Sequence, residues 1–316
     1  MEGFCYIYMN INHITLMITE NNIGINLGFA NNRFPEPEVW TRIINEVGVK
    51  NVQFVADILN PMLKMYDPVY FDRQIEKTIE CAKENDINIT SMMTSSFTRV
   101  NHFSHPDKAY RDIWYRWFYN FLLMGKEFGA KSAGSHFGIL TTESLALYDY
   151  YYKITVENWL KLAEDAKTMG YEYLFVEPMS IDREFGNTIE KTEKLLEDLK
   201  DSEIPIKLCL DLGHAPHPDC RDYKEWLERF AKDSPIIHLQ QTVLNSSNHS
   251  PFTKHFNDTG IIKSDEVLDI LNQHNSSPEL VLELSFREKH EVEPTIITDL
   301  KESVDYWKNA INKFNN

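Results

Sequence analysis

Four side chains able to bind a metal or move a proton stand on consecutive apolar runs in the second half of this 316-residue chain. The run "YEYLFVEP" (171–178) ends in Glu177, and "IKLCLDLGH" (206–214) presents Asp211 with His214 following it. The run "IIHLQQT" (236–242) carries His238 and Gln240, and "ELVLELSF" (279–286) carries Glu283. A bare carboxylate inside so apolar a segment is strongly disfavoured unless it is paired, hydrogen-bonded or bound to a metal. His238 and Gln240 point the same way, because side chains alternate along a strand. Taken singly, each acid reads as a helix cap or a partner for an arginine. Together on adjacent strands they repel one another and call for a cation. Three carboxylates and one imidazole form an oxygen-rich set that favours Mn²⁺, Mg²⁺ or Co²⁺, with Mn²⁺ first and Zn²⁺ also compatible.

These runs belong to a longer alternation. Four further β-branched or apolar segments precede them: "IGINLGF" (23–29), "NVQFVAD" (51–57), "INITSMMTS" (87–95) and "AKSAGSHFG" (130–138). Between the runs lie helical patterns near 36–47, 68–85, 106–128, 149–169, 187–202, 222–232 and 264–273, with a last helix from Pro294. Over 106–128, Tyr110, Ile113, Trp114, Trp117, Phe118, Phe121 and Met124 recur at helical spacing, and Gly129 marks the stop. Alternating strands and helices without a Gly-rich phosphate loop predict an α/β chain folded as a (β/α)8 TIM barrel. A doubly wound sheet would normally show such a loop after an early strand, and none occurs. The reading is one barrel domain over 21–316, preceded by an N-terminal extension at 1–20. In this fold chemistry sits at the C-terminal ends of the strands, where the four side chains fall.

Composition narrows the function classes. The net charge is −16, from 48 acidic against 32 basic residues, which repels nucleic acid and anionic membrane. An anionic substrate then needs a local positive site. Cys5, Cys81, Cys209 and Cys220 form no CxxC pair and read as reduced thiols. With no membrane-length apolar run and no basic-then-apolar leader, the expectation is a cytoplasmic protein.

The segments "FVEPMS", "LCLDLGHAPHP", "IIHLQQT" and "LVLELSFRE" resemble the sugar phosphate isomerase/epimerase superfamily with its xylose-isomerase-like barrel. With "NRFPEPEVWTRI", "TSSFTRVNH" and "GSHFGIL", the chain is similar to the D-erythrulose 1-phosphate 3-epimerase group of tetritol (erythritol) catabolism. The similarity spans about residues 23–308. It implies one divalent metal held by Glu177, Asp211, His238 and Glu283, with Glu177 and Glu283 doubling as the acid/base pair. It also implies His214 beside the substrate oxygens. One departure concerns substrate orientation. Related ketose 3-epimerases place an arginine shortly after the strand-7 histidine, yet none occurs here between Arg229 and Arg287. Gln240 and Gln241 take over that work, or it is not needed.

The expected reaction is 3-epimerisation of a small phosphorylated ketose, D-erythrulose 1-phosphate to its L epimer, through an enediolate stabilised by the metal. Two opposed carboxylates suit proton removal on one face and return on the other. Further substrate contacts are expected from His136, Arg99, Gln240, His249, Lys254 and Arg287, with Asn248 and Arg33 also near the rim. The long 243–262 loop has the length of a lid. A related polyol isomerase or dehydratase is the alternative. A DNA-repair endonuclease of this barrel would need a basic rim, and a sugar-binding module would not need opposed carboxylates. Homo-oligomerisation is left open.

Overall fold

The computed structural model describes residues 17–94, 98, 102–214, 222–286 and 293–316. Eight parallel strands close on themselves in chain order. They are β1 (Ile23–Asn26), β2 (Asn51–Val55), β3 (Asn88–Met93) and β4 (Ser132–His136), then β5 (Tyr173–Glu177), β6 (Ile206–Asp211), β7 (Ile236–Leu239) and β8 (Glu279–Leu282). Between them run α1 (Pro37–Val47), the short α2 (Leu63–Tyr66), α3 (Pro68–Glu84), α4 (Lys108–Phe128) and α5 (Tyr148–Met169). There follow α6 (Ile189–Leu199), α7 (Tyr223–Phe230), the short α8 (Lys254–Asn257), α9 (Ser264–Gln273) and α10 (Glu293–Asn315). The (β/α)8 barrel expected from the alternation is the fold. Every strand is shorter than its apolar run in the sequence, because pairing stops where the chain turns outward at the rim. Gln240 and Glu283 therefore stand just beyond the ends of β7 and β8.

The helices bury most of the faces their spacing predicts, although in the helix over 108–128 Ile113 is exposed and Tyr110 half-buried. In α4, Trp114, Trp117, Phe118, Phe121 and Met124 are buried, and Asp107 caps the N-terminus by accepting from Ala109 N at 2.8 Å. Gly129 ends it at φ 76°, a left-handed cap that favours glycine. The α4 and α5 aromatics support the barrel rim directly. Trp159 of α5 stacks on Phe137 at 6.1 Å and donates through Nε1 to Phe137 O at 2.8 Å, fixing the residue after His136. Burying one such aromatic stabilises the fold by roughly 1.5–3 kcal/mol. Met92 is core, as are most of the 110–121 aromatics, whereas Met93 reaches the central cavity.

The end of the expected 1–20 extension packs against the barrel. Ile18 is buried, and its carbonyl accepts from Asn315 Nδ2 at 2.9 Å, tying this segment to α10. Residues 1–16 of the expected extension, with Cys5, lie outside the described residues, as does Cys220. Cys81 and Cys209 are free thiols. Among the described residues no helix is long and apolar enough to cross a membrane.

At the opposite end from the rim, Glu279 opens β8 and accepts from Thr90 Oγ1 of β3 at 2.7 Å. Gly24 lies beside it on β1, where an added Cβ would stand 2.7 Å from Glu279 Oε1 and push that carboxyl aside. Burial pushes the Glu279 carboxyl up to about 7, from an ordinary 4.5. In the window between those values the unfolded chain loses this proton while the folded chain keeps it. Glu279 therefore favours folding at low pH, and that contribution is lost as pH rises through about 7. Glu279→Gln keeps the acceptor and cannot ionise. In urea titrations its stability relative to wild type should grow by roughly 3 kcal/mol between pH 4.5 and 8, at about 1.4 kcal/mol per pH unit within the window. A constant difference across that range would contradict the assignment.

Candidate metal centre and active-site cavity

Strand register puts the polar residues at matched heights. His136 of β4 pairs with Glu177 of β5, Asp211 of β6 with His238 of β7, and Asn26 of β1 with Gln53 of β2. Leu239 pairs with Leu282, and Glu283 N donates to Leu239 O at 3.0 Å, which brings Glu283 to the same rim. Ligand atoms of Glu177, Asp211, His238 and Glu283 consequently lie within 4.8 Å of one another. The four residues singled out from the sequence form one cluster.

His238 is its centre. Its Nδ1 stands 3.1 Å from Glu177 Oε1 and 3.2 Å from Glu283 Oε2. His249 Nδ1 lies 3.4 Å from the same Glu283 oxygen. Among the described residues Glu283 Oε2 is nevertheless buried without a well-formed hydrogen bond, although two imidazoles are close. Asp211, by contrast, is fully dressed. Gly213 N donates to its Oδ1 at 2.6 Å, and Gln240 Nε2 donates to Oδ1 and Oδ2 at 3.0 and 2.8 Å. The glycine in "DLGH" is required by that arrangement, since a Cβ at Gly213 would meet Gln240 Cδ at 2.3 Å.

Burial pushes the carboxyls of both Glu177 and Asp211 upward, and the neighbouring Glu283 charge adds to each shift. Burial pushes Glu283 the same way, but the His238 and His249 imidazoles outweigh it and hold this carboxyl well below the usual range. Burial opposes charge on His249 too, and the facing carboxylates, Glu283 first, raise it to about 9. Three carboxylates converge here with one side's oxygen left orphaned. An oxygen-rich donor set with an unsatisfied oxygen fits a divalent cation.

A cavity of about 200 Å³ opens from this cluster to the rim. Glu177 and Glu283 line it, with His136, His214, His249, Thr94, Asn26, Asn31 and Asp57. His136 Nδ1 stands 3.4 Å from Glu177 Oε2, and His214 Nε2 stands 3.3 Å from His249 Nε2. His249 comes from the loop after β7 and adopts φ 49°, an uncommon backbone state for a non-glycine residue. Hydrogen bonds tie that loop to its neighbours near His249. Gln241 and Ser250 exchange backbone hydrogen bonds of 2.8 and 3.0 Å, His249 N donates to Gln240 Oε1 at 2.5 Å, and Ser285 N donates to His249 O at 2.9 Å.

Other expected contacts fall elsewhere. Gln240 is buried behind Asp211 and does not line the cavity. Gln241 turns away from it, donating to Asn257 Oδ1 and Ile262 O at 2.9 and 3.0 Å. Lys254 is exposed at the start of α8, its backbone bound to Glu302 Oε1, and Asn248 is exposed too. Neither lines the cavity. Arg33 donates to Phe286 O at 3.1 Å, bracing the segment after β8. Arg99 and Arg287 lie outside the described residues. The sequence reading passed over Asn26, Asn31, Gln53 and Asp57. Gln53 had a signal of the same kind as Glu283, a polar residue inside the apolar run "NVQFVAD".

A family model described as xylose isomerase-like TIM barrel matches residues 41–310. The chain is 31% identical over 296 residues to D-erythrulose 1-phosphate 3-epimerase of Brucella abortus (strain 2308), covering 90% of this chain and 94% of that protein. A solved structure from Rhodospirillum rubrum ATCC 11170 superposes with TM-score 0.82 at 22% identity, over 91% of this chain and 98% of the other. D-psicose 3-epimerase from Clostridium cellulolyticum H10, solved with D-tagatose, superposes with TM-score 0.72 at 14% identity, over 92% and 99%. At these identities the two structures speak for the fold alone.

The cluster makes a direct prediction about cations. Titration of chelator-treated protein with Mn²⁺ should show one ion per chain and a rise in Tm that follows saturation. Glu283→Gln should weaken that affinity at least about 10-fold, through loss of one charged ligand. A wild-type protein whose Tm and metal content do not respond to Mn²⁺ would contradict the site.

Proposed function

Because the chain belongs to the xylose isomerase-like TIM barrel family, we propose that it is a sugar epimerase, an isomerase that inverts a carbon beside a ketone. The observation that carries this reading is the pair Glu177 and Glu283, brought by β5 and the end of β8 to the walls of one small cavity. Drug-sized ligands occupy pockets of roughly 300–1,000 Å³. About 200 Å³ suits a substrate of few carbons.

Glu177, Asp211, His238 and Glu283 would hold a divalent cation, Mn²⁺ first by its fit to three carboxylates and one imidazole. When bound, the cation supplies Lewis-acid stabilisation of the negative charge that develops on the ketone and hydroxyl oxygens of the substrate. The residues of the chain do the rest. Glu283, whose carboxyl the facing His249 imidazole holds low, takes the proton from the carbon on its face. Glu177, whose carboxyl is raised by burial and the charge opposite, returns a proton to the other face. The two acids are thus pushed apart in proton affinity, as a base and an acid need to be. In the reverse direction their roles exchange. His214 and His249 flank the space where substrate oxygens must lie, and His136 braces Glu177.

The substrate is D-erythrulose 1-phosphate or a close phosphorylated tetrulose. Support comes from the 31% relative of that name, together with the small cavity. Among the described residues the cavity lining contains no lysine or arginine. The phosphate contacts would come from Arg99 and Arg287, on the segments that follow β3 and β8.

Two outcomes test the reaction. In D₂O, deuterium should enter the carbon beside the ketone as product forms, and Glu283→Gln or Glu177→Gln should each lower kcat at least about 10²-fold. A variant that exchanges this proton without inverting the carbon would mark the two-face mechanism. Normal epimerisation in both variants would leave the two residues as metal ligands only.

A comparison of phosphorylated with free tetrulose tests the substrate. Charge-assisted hydrogen bonds contribute about 1.5–3 kcal/mol each, so kcat/KM should favour the phosphorylated sugar by at least roughly 10-fold. Equal values for both would remove the phosphate from the substrate.

A further inference from the structure

Behind the candidate metal ligands lies a chain of amides whose orientation leaves no freedom. Gly28 N donates to Asn26 Oδ1 at 2.8 Å, which fixes the Asn26 amide so that Nδ2 points toward the neighbouring strand β2. That Nδ2 donates to Gln53 at 2.7 Å, so the atom it meets must be an acceptor, Gln53 Oε1. A turned Gln53 would set two N–H donors against each other. His238 Nε2 stands 2.8 Å from the same Oε1 and must therefore carry a proton. A neutral imidazole with its proton on Nε2 has its lone pair on Nδ1, the nitrogen facing Glu177 and Glu283.

The arrangement has a cost that packing alone does not explain. Gln53 is fully buried, and its own Nε2 makes no hydrogen bond among the described residues. A buried unsatisfied donor is destabilising. Both Gln53 and Asn26 are near-completely enclosed and sit at matched positions on β1 and β2, across the barrel from β7. Neither is one of the four ligands.

We propose that Asn26 and Gln53 are positioning residues that set the tautomer of His238, holding its Nδ1 lone pair toward the metal position. The inference rests on the metal-binding reading above and adds two residues to it. A partner of this kind typically changes metal affinity by 10–100-fold. Asn26 acts at one remove, since it touches Gln53 and not His238.

The test is Mn²⁺ titration by calorimetry on chelator-treated wild type, Gln53→Met, Gln53→Glu and Asn26→Asp. It is paired with ¹⁵N spectra of the histidine imidazoles in the Zn²⁺-loaded proteins. Gln53→Met removes the acceptor and should weaken Mn²⁺ binding roughly 10–100-fold. Gln53→Glu keeps an acceptor oxygen and should stay within about threefold of wild type, a rescue that a packing role would not give. Asn26→Asp should turn the Gln53 amide, so that Nε2 faces His238 and the proton moves to Nδ1. Its Mn²⁺ affinity should fall by about the same factor as that of Gln53→Met. The wild-type spectrum should show Nε2 protonated and Nδ1 without a proton. Gln53→Met and Asn26→Asp both binding Mn²⁺ like wild type would overturn the relay while leaving the metal site intact. A wild-type spectrum with an unprotonated Nε2 would do the same. If either Gln53 variant fails to fold, Asn26→Asp and the wild-type spectrum decide the question alone. Wild type that takes up no Mn²⁺ would overturn the metal reading, and the relay with it.

Discussion

Carboxylate repulsion at the C-terminal rim of a barrel governs this molecule. Glu177, Asp211 and Glu283 present oxygens within 4.8 Å of one another and of His238, away from bulk water. Like charges so placed interact far more strongly than in solvent, and buried ions without compensation are costly. The protein answers only in part. Asp211 is satisfied by Gln240 and the turn that follows it, Glu177 leans on His136 and His238, and one oxygen of Glu283 is left over. A site left short of positive charge in this way is organised for a cation.

Much of the remaining architecture follows from holding that cluster still. Register aligns His136 with Glu177 and Asp211 with His238, so a slip of one residue in either pair would turn a ligand out of the site. Glycine is used where a neighbour needs the space: Gly213 admits Gln240 behind Asp211, and Gly134 lies against Phe175, where a Cβ would come within 2.1 Å of the ring. The helices and their aromatic layer press this shell inward, and Trp159 ties its indole to the backbone next to His136.

The loop after β7 completes the cavity. Cross-bonds to Gln240, Gln241 and Ser285 hold it, and the strained backbone at His249 aims an imidazole at Glu283 and His214. The opposing pulls on Glu177 and Glu283 arise in one cluster, where His238 stands 3.1 and 3.2 Å from the two carboxylates and His249 stands 3.4 Å from Glu283. The two carboxyls are thus distinguished by surroundings, not by residue type.

The linear sequence determined the fold and the four central residues. Apolar runs alternating with helical stripes demand a closed parallel sheet, and a carboxylate inside such a run must find a counterpart, which marked Glu177, Asp211 and Glu283 before any coordinates. The sequence could not say which rim residues reach inward, because that depends on where each strand stops and how its loop leaves. Lys254 and His249 lie five positions apart in one loop, yet one is exposed and the other lines the cavity. Gln240 shares a face with His238 but is spent on Asp211. Gln53 and His238 are 185 positions apart and meet only through barrel closure. Hydrogen-bond direction is a property of three-dimensional neighbours, so the proton on His238 was decided by tertiary structure alone.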